Sequence, residues 1–315
     1  MNMIRFARLM ILWSIGILLS SCNSKPVKEK NAPQTKLSFT AVKDIEFYEV
    51  KRRFTTGLSF NELGFQQEPT WMIKFISNDS IAAWSPQKQR MQNFFLLYDH
   101  GDVYNFAKEY FRFKKITKDS LIFQRLQLEN KVILKDIRSD VNITYYSKDF
   151  IESKLKTTVE KLRQPTARDT AFIRKISDRS NRNPANIDSA FAGRQPVELT
   201  SLSKSVTVNK ISTVDELIGR TQAYDYLFPL YKVVIHNAYK DFAYQFTAVV
   251  DAKGKMYLGN FYGEIPEYHE VRKKVLTGII DVYLQNLLKI KPGSTLGIPH
   301  SSEITLQVSG KISAK

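Results

Sequence analysis

Alternation of apolar and polar positions dominates the chain from about residue 41 to 148. In Trp71-Met72-Ile73-Lys74-Phe75-Ile76, the side chains of Trp71, Ile73 and Phe75 share one face, the period of two of a half-buried strand. Asn78-Asp79-Ser80 supplies turn residues before a second strand at Ile81-Ala82-Ala83-Trp84. A further strand is predicted over Phe94-Phe95-Leu96-Leu97-Tyr98, followed by the turn Asp99-His100-Gly101-Asp102. Phe111 to Ile116, the turn Lys118-Asp119-Ser120 and Leu121-Ile122-Phe123 read as strand, tight turn, strand, and Val141 to Tyr145 closes the series. Short strands with turns every 8–15 residues predict an antiparallel meander that curls into a barrel or half-barrel.

The period changes to that of helices over residues 149–212. Ile151, Leu155, Val159 and Leu162 form one stripe and predict a helix over Asp149 to Arg163, ended by Pro165. Thr166 is a cap for a second helix carrying Phe172, Ile173 and Ile176. The basic residues here are interspersed with Asp169, Asp178 and Asp188, the pattern of a solvated face. Beyond residue 213 the pattern predicts a helix at Val214–Gly219 and then a strand at Tyr231–Asn237. A hairpin follows: Tyr244–Val250, the turn Asp251-Ala252-Lys253-Gly254, and Lys255–Tyr262. A helix from Glu267 to Leu288 places Val271, Val275, Ile279 and Val282 on its core stripe, and a final strand covers Glu303–Val308. The fold class is α+β: an N-terminal β-meander or half-barrel, a helical linker, and a small C-terminal sheet packed by one long helix.

The first residues carry a different pattern. Arg5 and Arg8 precede an apolar run, Leu9 to Leu19, of eleven residues. As a helix that run rises roughly 16 Å, short of the roughly 30 Å hydrocarbon core of a bilayer, which favours a signal peptide over residues 1–21. Leu19-Ser20-Ser21-Cys22 resembles the lipobox of bacterial lipoproteins, which implies cleavage before Cys22 and lipid on its thiol and amino group, enough acyl chains for stable anchoring. Asn23 after the cysteine favours the outer membrane of a Gram-negative envelope, with the chain in the periplasm. Residues 22–40, rich in Lys, Pro, Asn and Ser, read as a tether. The organisation expected is tether, β-rich domain over 41–148, helical region over 149–212 and α+β domain over 213–315.

Composition changes this picture little. The 43% hydrophobic content is that of a folded chain, and the single cysteine leaves no intrachain disulfide. Net charge is +16; removal of the leader, whose only charges are Arg5 and Arg8, lowers it by two to +14. On an anchored envelope chain that charge suits lipid head groups, or no specific partner at all, rather than nucleic acid.

The pattern Trp71-x-Ile73-x-Phe75, with Phe113-x-x-Ile116-Thr117-Lys118-Asp119-Ser120-Leu121, resembles the small lipocalin-like domains of bacterial lipoproteins. That resemblance implies a cup for an apolar ligand, with Trp71, Ile73, Phe75 and Phe94 as its candidates; the alternative is that aromatic side chains fill the barrel. Phe246-x-x-Val249-Val250-Asp251-x-x-Gly254-Lys255, the helix after it, Lys291-Pro292-Gly293, Leu296-Gly297-Ile298-Pro299 and the alternating last strand resemble the TonB C-terminal domain. The implication is protein contact by strand pairing, with Ile304, Thr305, Leu306, Gln307 and Val308 as the candidate open edge. The lipobox in place of an uncleaved membrane helix argues against energy transduction.

Motifs that carry chemistry are not in evidence: there is no G-x-S-x-G, H-E-x-x-H or phosphate-binding glycine loop. His100, His236, His269 and His300 are scattered, and His100 between two aspartates sits in a turn. No catalytic residue, metal site or cofactor is expected. The first expectation is a non-enzymatic envelope lipoprotein that binds or scaffolds another outer-membrane or periplasmic protein through its C-terminal domain. The second is a carrier of an apolar ligand, and the third a hydrolase whose site is assembled only by folding.

Overall fold

A computed structural model describes residues 36–312, apart from 86–87, 136–137, 216, 219 and 262–265. The leader, Cys22 and most of the tether lie outside the described residues. Among those described, no helix is long and apolar enough to cross a membrane.

The first half is one antiparallel sheet. Its strands are β1 (Glu46–Phe54), β2 (Met72–Ser77), β3 (Ser80–Ser85), β4 (Arg90–Phe95), β5 (Leu97–His100), β6 (Val103–Phe106), β7 (Glu109–Ile116) and β8 (Ser120–Leu126). After a short hairpin of β9 (Leu128–Glu129) and β10 (Val132–Ile133) comes β11 (Val141–Ser147). Nine of them form a single sheet in the order β4-β3-β2-β1-β11-β8-β7-β6-β5. The two outer strands, β4 and β5, are consecutive in the chain and are joined by the buried Leu96, so the sheet curls until its ends meet. The sheet is therefore the near-barrel that the alternation implies. One expected strand is divided: Phe94–Tyr98 is the point where the chain passes from one end of the sheet to the other. β1, central in the sheet, was hidden from periodicity because Lys51-Arg52-Arg53 and a bulge between Glu49 and Lys51 interrupt its alternation.

The helical region departs from the expected single stripe. A wide helical turn at Phe150–Lys154 stops, Lys156 takes a positive φ of 50°, and α1 (Val159–Arg163) begins afresh. Leu155 is 40% exposed, so the stripe is not a continuous core face. α2 (Ala167–Arg182) starts at Thr166 as expected, in a capping box with Asp169. Asp169 is buried and also accepts from the Ser59 amide (2.8 Å) and Arg53 Nη1 (3.1 Å), tying α2 to the end of β1. Burial alone would raise its pKa. Hydrogen bonds from Ser59 and Thr166 and the charge of Arg53 outweigh that and hold the carboxyl below its usual value.

The second half is built on a five-stranded sheet: β13 (Val206–Ile211), β14 (Leu230–His236), β15 (Phe242–Val250), β16 (Met256–Phe261) and β20 (Ser302–Lys311), in the order β13-β14-β20-β15-β16. Two small ladders flank it, β12 (Glu198–Ser201) with β17 (Leu288–Lys291) and β18 (Ser294–Thr295) with β19 (Ile298–Pro299). The hairpin turn falls at Asp251–Gly254, with Gly254 at φ 83°. The long helix comprises α4 (His269–Ile279), a wider turn at Ile280–Leu284 and α5 (Gln285–Leu287). Its core face is Leu276, Ile279, Ile280 and Leu284, packed on Phe246, Ala248, Ile304 and Leu306 of the sheet. The two ends of the expected stripe miss the core: Val271 and Val282 are 60% and 61% exposed, while Val275 and Ile279 pack on it; the wide turn at Ile280–Leu284 shifts the periodicity at Val282.

Two further expectations are corrected. Among the described residues of Val214–Gly219 there is no helix: Asp215 and Arg220 exchange backbone hydrogen bonds, and Leu217 is 99% exposed. A four-residue helix, α3 (Tyr224–Leu227), follows. The sheet has five strands, and β20, which contains Ile304, Thr305, Leu306, Gln307 and Val308, is its centre. It pairs in parallel with β14 and antiparallel with β15, so both of its backbone edges are occupied and it is no open edge.

Candidate functional site

The two ends of the near-barrel differ in chemistry. At one end, the segment before β1 acts as a plug. Leu37 donates its amide to the Tyr104 hydroxyl (2.8 Å) and Phe39 donates its own to Asn78 Oδ1 (2.7 Å). This seats the Phe39 ring against Phe75 (4.6 Å between centroids, stacked), with Tyr104 and Phe113 edge-on to it. Of the cup candidates, Ile73 and Phe75 are fully buried in this cluster, while Trp71 and Phe94 are half-buried and packed against it. Phe123 and Tyr145 extend the aromatic packing inward. The four candidates do lie in one cluster, and around Phe75 the space is taken by other side chains.

At the other end the inward positions turn polar. The bulge in β1 buries Glu49 completely. Its carboxylate accepts from Arg52 Nε and Nη2 (2.6 and 3.0 Å) and from the amides of Thr70 and Trp71 (2.9 and 2.8 Å), so a buried charge is both paired and hydrogen-bonded. The Arg52 guanidinium lies over the Trp71 ring, 5.8 Å from its centroid. On β7 and β8, Glu109 follows the inward period of Phe111 and Phe113, and Arg125 that of Leu121 and Phe123. Arg125 Nη2 donates to Glu109 Oε1 at 2.6 Å. Burial pulls the Arg125 pKa down, and the like charges of Arg52 and Arg138 lower it further against the pull of Glu109.

A wall closes this end on one side. Residues 61–70 run past the mouth, and Gly64, at φ 84°, lies so close to the Ala192 backbone that a Cβ there would collide with the carbonyl. The Gln66 amide donates to the Tyr226 hydroxyl of α3 (3.1 Å). Arg194 spans the gap: Nε donates to Gln66 Oε1 (3.1 Å), Nη2 to Glu68 Oε1 (2.6 Å), and its guanidinium lies 4.7 Å from the Tyr226 ring centroid. Between barrel mouth and wall lies a cleft of about 430 Å³. Four arginines, Arg52, Arg125, Arg138 and Arg194, line it against two carboxylates, Glu68 and Glu109. The Tyr145 hydroxyl, opposite Glu49 in the β1–β11 register, is buried without a hydrogen-bond partner among the described residues. Burial first, and then the charge of Glu49, raise its pKa well above 10.

The arginine cleft was not singled out from sequence. Its signal was present: Glu49, Glu109 and Arg125 are charged residues at positions where the strand period points inward. The histidines do not assemble into a site. His100 pairs with its neighbour Asp99 in an exposed turn, His236 contacts Thr207 (3.0 Å), and His269 stacks on Phe261. His300 is fully buried, stacked on Phe191 and bonded to Thr295, Ser301 and Ser302. Burial pushes its pKa down to about 4, so it is neutral near pH 7. Its neighbours in this contact set are uncharged, and it serves to join the strand β20 to the residues around α2.

Comparison with models of known protein families found no match, and comparison with curated proteins found none either.

Proposed function

We propose that this chain is a non-enzymatic lipoprotein of a Gram-negative envelope, anchored by lipid on Cys22 and built to bind a ligand at the mouth of its N-terminal barrel. The single observation that carries the binding role is the cleft of about 430 Å³ whose wall is contributed by residues from both halves of the chain. Its volume falls in the range of small-molecule sites, with a lining that is mainly polar and charged. An apolar carrier is the weaker form of the idea, because the aromatic end is filled by Phe39. Protein contact through the C-terminal sheet, which the TonB resemblance implies, falls to the outer strands β13 and β16 rather than to Ile304–Val308.

Placing a bulky side chain in the mouth tests the binding role. Gln222 is an exposed residue at the rim of the cleft. Full-length wild type and Gln222→Trp, purified from membranes, are compared by native mass spectrometry. The expected result is a small molecule that co-purifies with wild type and is depleted from the variant. Identical spectra would overturn the reading. Cys22→Ser should release the chain from membranes or leave its leader uncut; a processed membrane protein from that variant would remove the anchor.

A further inference from the structure

The pairing inside the cleft specifies the class of ligand, and this step rests on the binding role proposed above. Every cleft arginine is already answered: Arg125 by Glu109, Arg194 by Glu68, Arg52 by Glu49 beneath it, and Arg138 is itself engaged. The lining is therefore close to neutral although many of its groups are ionic. An added anion would meet Glu68 and Glu109, and an added cation would meet four guanidinium groups. An apolar body would cut these groups off from water without replacing its hydrogen bonds. The pairs nevertheless keep hydrogen-bonding capacity of both kinds. Arg125 gives Glu109 one bond, from Nη2, of the five N–H groups that a guanidinium carries. Glu109 and Glu68 each accept through Oε1, and their Oε2 atoms make no hydrogen bond among the described residues. Donors and acceptors thus stand side by side, held in place by the pairing itself, so little side-chain freedom remains to be lost on binding. A hydroxyl both donates and accepts, and neighbouring hydroxyls on one ring meet a guanidinium–carboxylate pair two at a time. Gln66 and Gln222 add amide groups, while Phe65, Ala223 and Tyr226 form an apolar wall for the C–H face of a ring.

We propose that the cleft binds a neutral polyhydroxylated ring, a mono- or disaccharide, with Glu109 and Arg125 holding two of its hydroxyls. The ligand brings no net charge to the site, so its affinity is nearly independent of salt.

The test is calorimetric titration of the full chain with maltose, cellobiose, lactose and chitobiose in turn, and with citrate and spermidine as charged comparisons. At least one disaccharide should bind, with a Kd that changes by less than about twofold between about 50 and 500 mM sodium chloride. Glu109→Gln, which removes an acceptor oxygen and the charge that holds Arg125, should weaken that binding about tenfold. Arg125→Lys, which keeps the charge but loses the fork, should weaken it to a similar degree. The Tm of each variant reports whether it folds; should either fail to fold, Gln222→Trp at the exposed rim takes its place and should abolish binding. Arg179→Gln, which alters an exposed pair with Glu62 outside the cleft, should bind as wild type does. No binding of any disaccharide, binding that survives the cleft variants, or tighter binding of citrate or spermidine that falls with salt overturns the proposal. A molecule that co-purifies with wild type, is depleted from Gln222→Trp and resists periodate, which cleaves between neighbouring hydroxyls, would also overturn it while leaving the binding role intact.

Discussion

One end of the near-barrel is closed by stacked aromatic rings and the other is open and ringed by arginine, although both are made by the same strands. At the closed end, inward positions hold Phe75, Phe113 and Phe123, and Phe39 fills what the strands leave. At the open end, the same period delivers Glu49, Glu109 and Arg125. The difference teaches that burial of apolar surface has been used up at one end to stabilise the barrel. Charges, which are costly to bury, are kept at the other because they are paired and face a space. Of the aromatic cup candidates, Phe75 lies where Phe39 fills the space, while Trp71 reaches towards Arg52 at the open end.

The comparison can be broken most forcefully at the closed end. Phe75→Ala removes a fully buried ring that stacks on Phe39, and it should cost about 4 kcal/mol in chemical denaturation. If instead the variant loses little stability and gains affinity for an apolar probe, the closed end is a ligand pocket and the contrast fails. Next in size is Asp169→Ala, which leaves Arg53 without its buried partner and removes the carboxylate half of the capping box, the acceptor of the Thr166 amide. About 3 kcal/mol should be lost at pH 7. The carboxyl pKa is held below its ordinary value, so this contribution is present above the unfolded pKa and is lost as pH falls through the folded one.

His300 is a polar group buried with no space beside it, and it sharpens the contrast with the open mouth. Its pKa falls from 6.5 unfolded to about 4 folded, so the unfolded chain takes up the proton first. Its contribution is complete above pH 6.5 and declines by about 3 kcal/mol as pH falls to 4. Stability measured against pH in wild type and His300→Phe should diverge over that window, and parallel curves would show that His300 is not buried neutral. The smallest effect belongs to the outer surface: Phe95→Ser, on an exposed side chain, should change stability by less than about 0.5 kcal/mol.

Much of the fold was legible in the sequence. Alternation at Trp71–Phe75, Phe111–Ile116 and Leu121–Phe123 marks strands that are present, and Thr166 marks the start of α2. Legibility failed where tertiary contacts override local pattern. β1 was missed because its bulge and its run of Lys51-Arg52-Arg53 answer to Glu49 and Asp169, not to the pleat. On the last helix the expected stripe fails at Val282, where a wide turn that no periodicity announces shifts the face. Ile304–Val308 has the alternation of an edge strand, but strand order is decided by pairing across the chain, and it lies at the centre. The cleft was only partly legible: charged residues at inward positions hint at it, but Arg52, Arg125, Arg138 and Arg194 are far apart in sequence and come together only on folding.

Trp71 stands at the boundary between the two ends, edge-on to Phe106 and Phe111 on one side and under Arg52 on the other. With Trp13 and Trp84 replaced by phenylalanine it is the only tryptophan left. Its emission, titrated with the same disaccharides in one series and with a fatty acid in another, reports directly which end has room. A saturable change with a disaccharide and none with the fatty acid is the predicted result; saturation by the fatty acid alone would contradict the account.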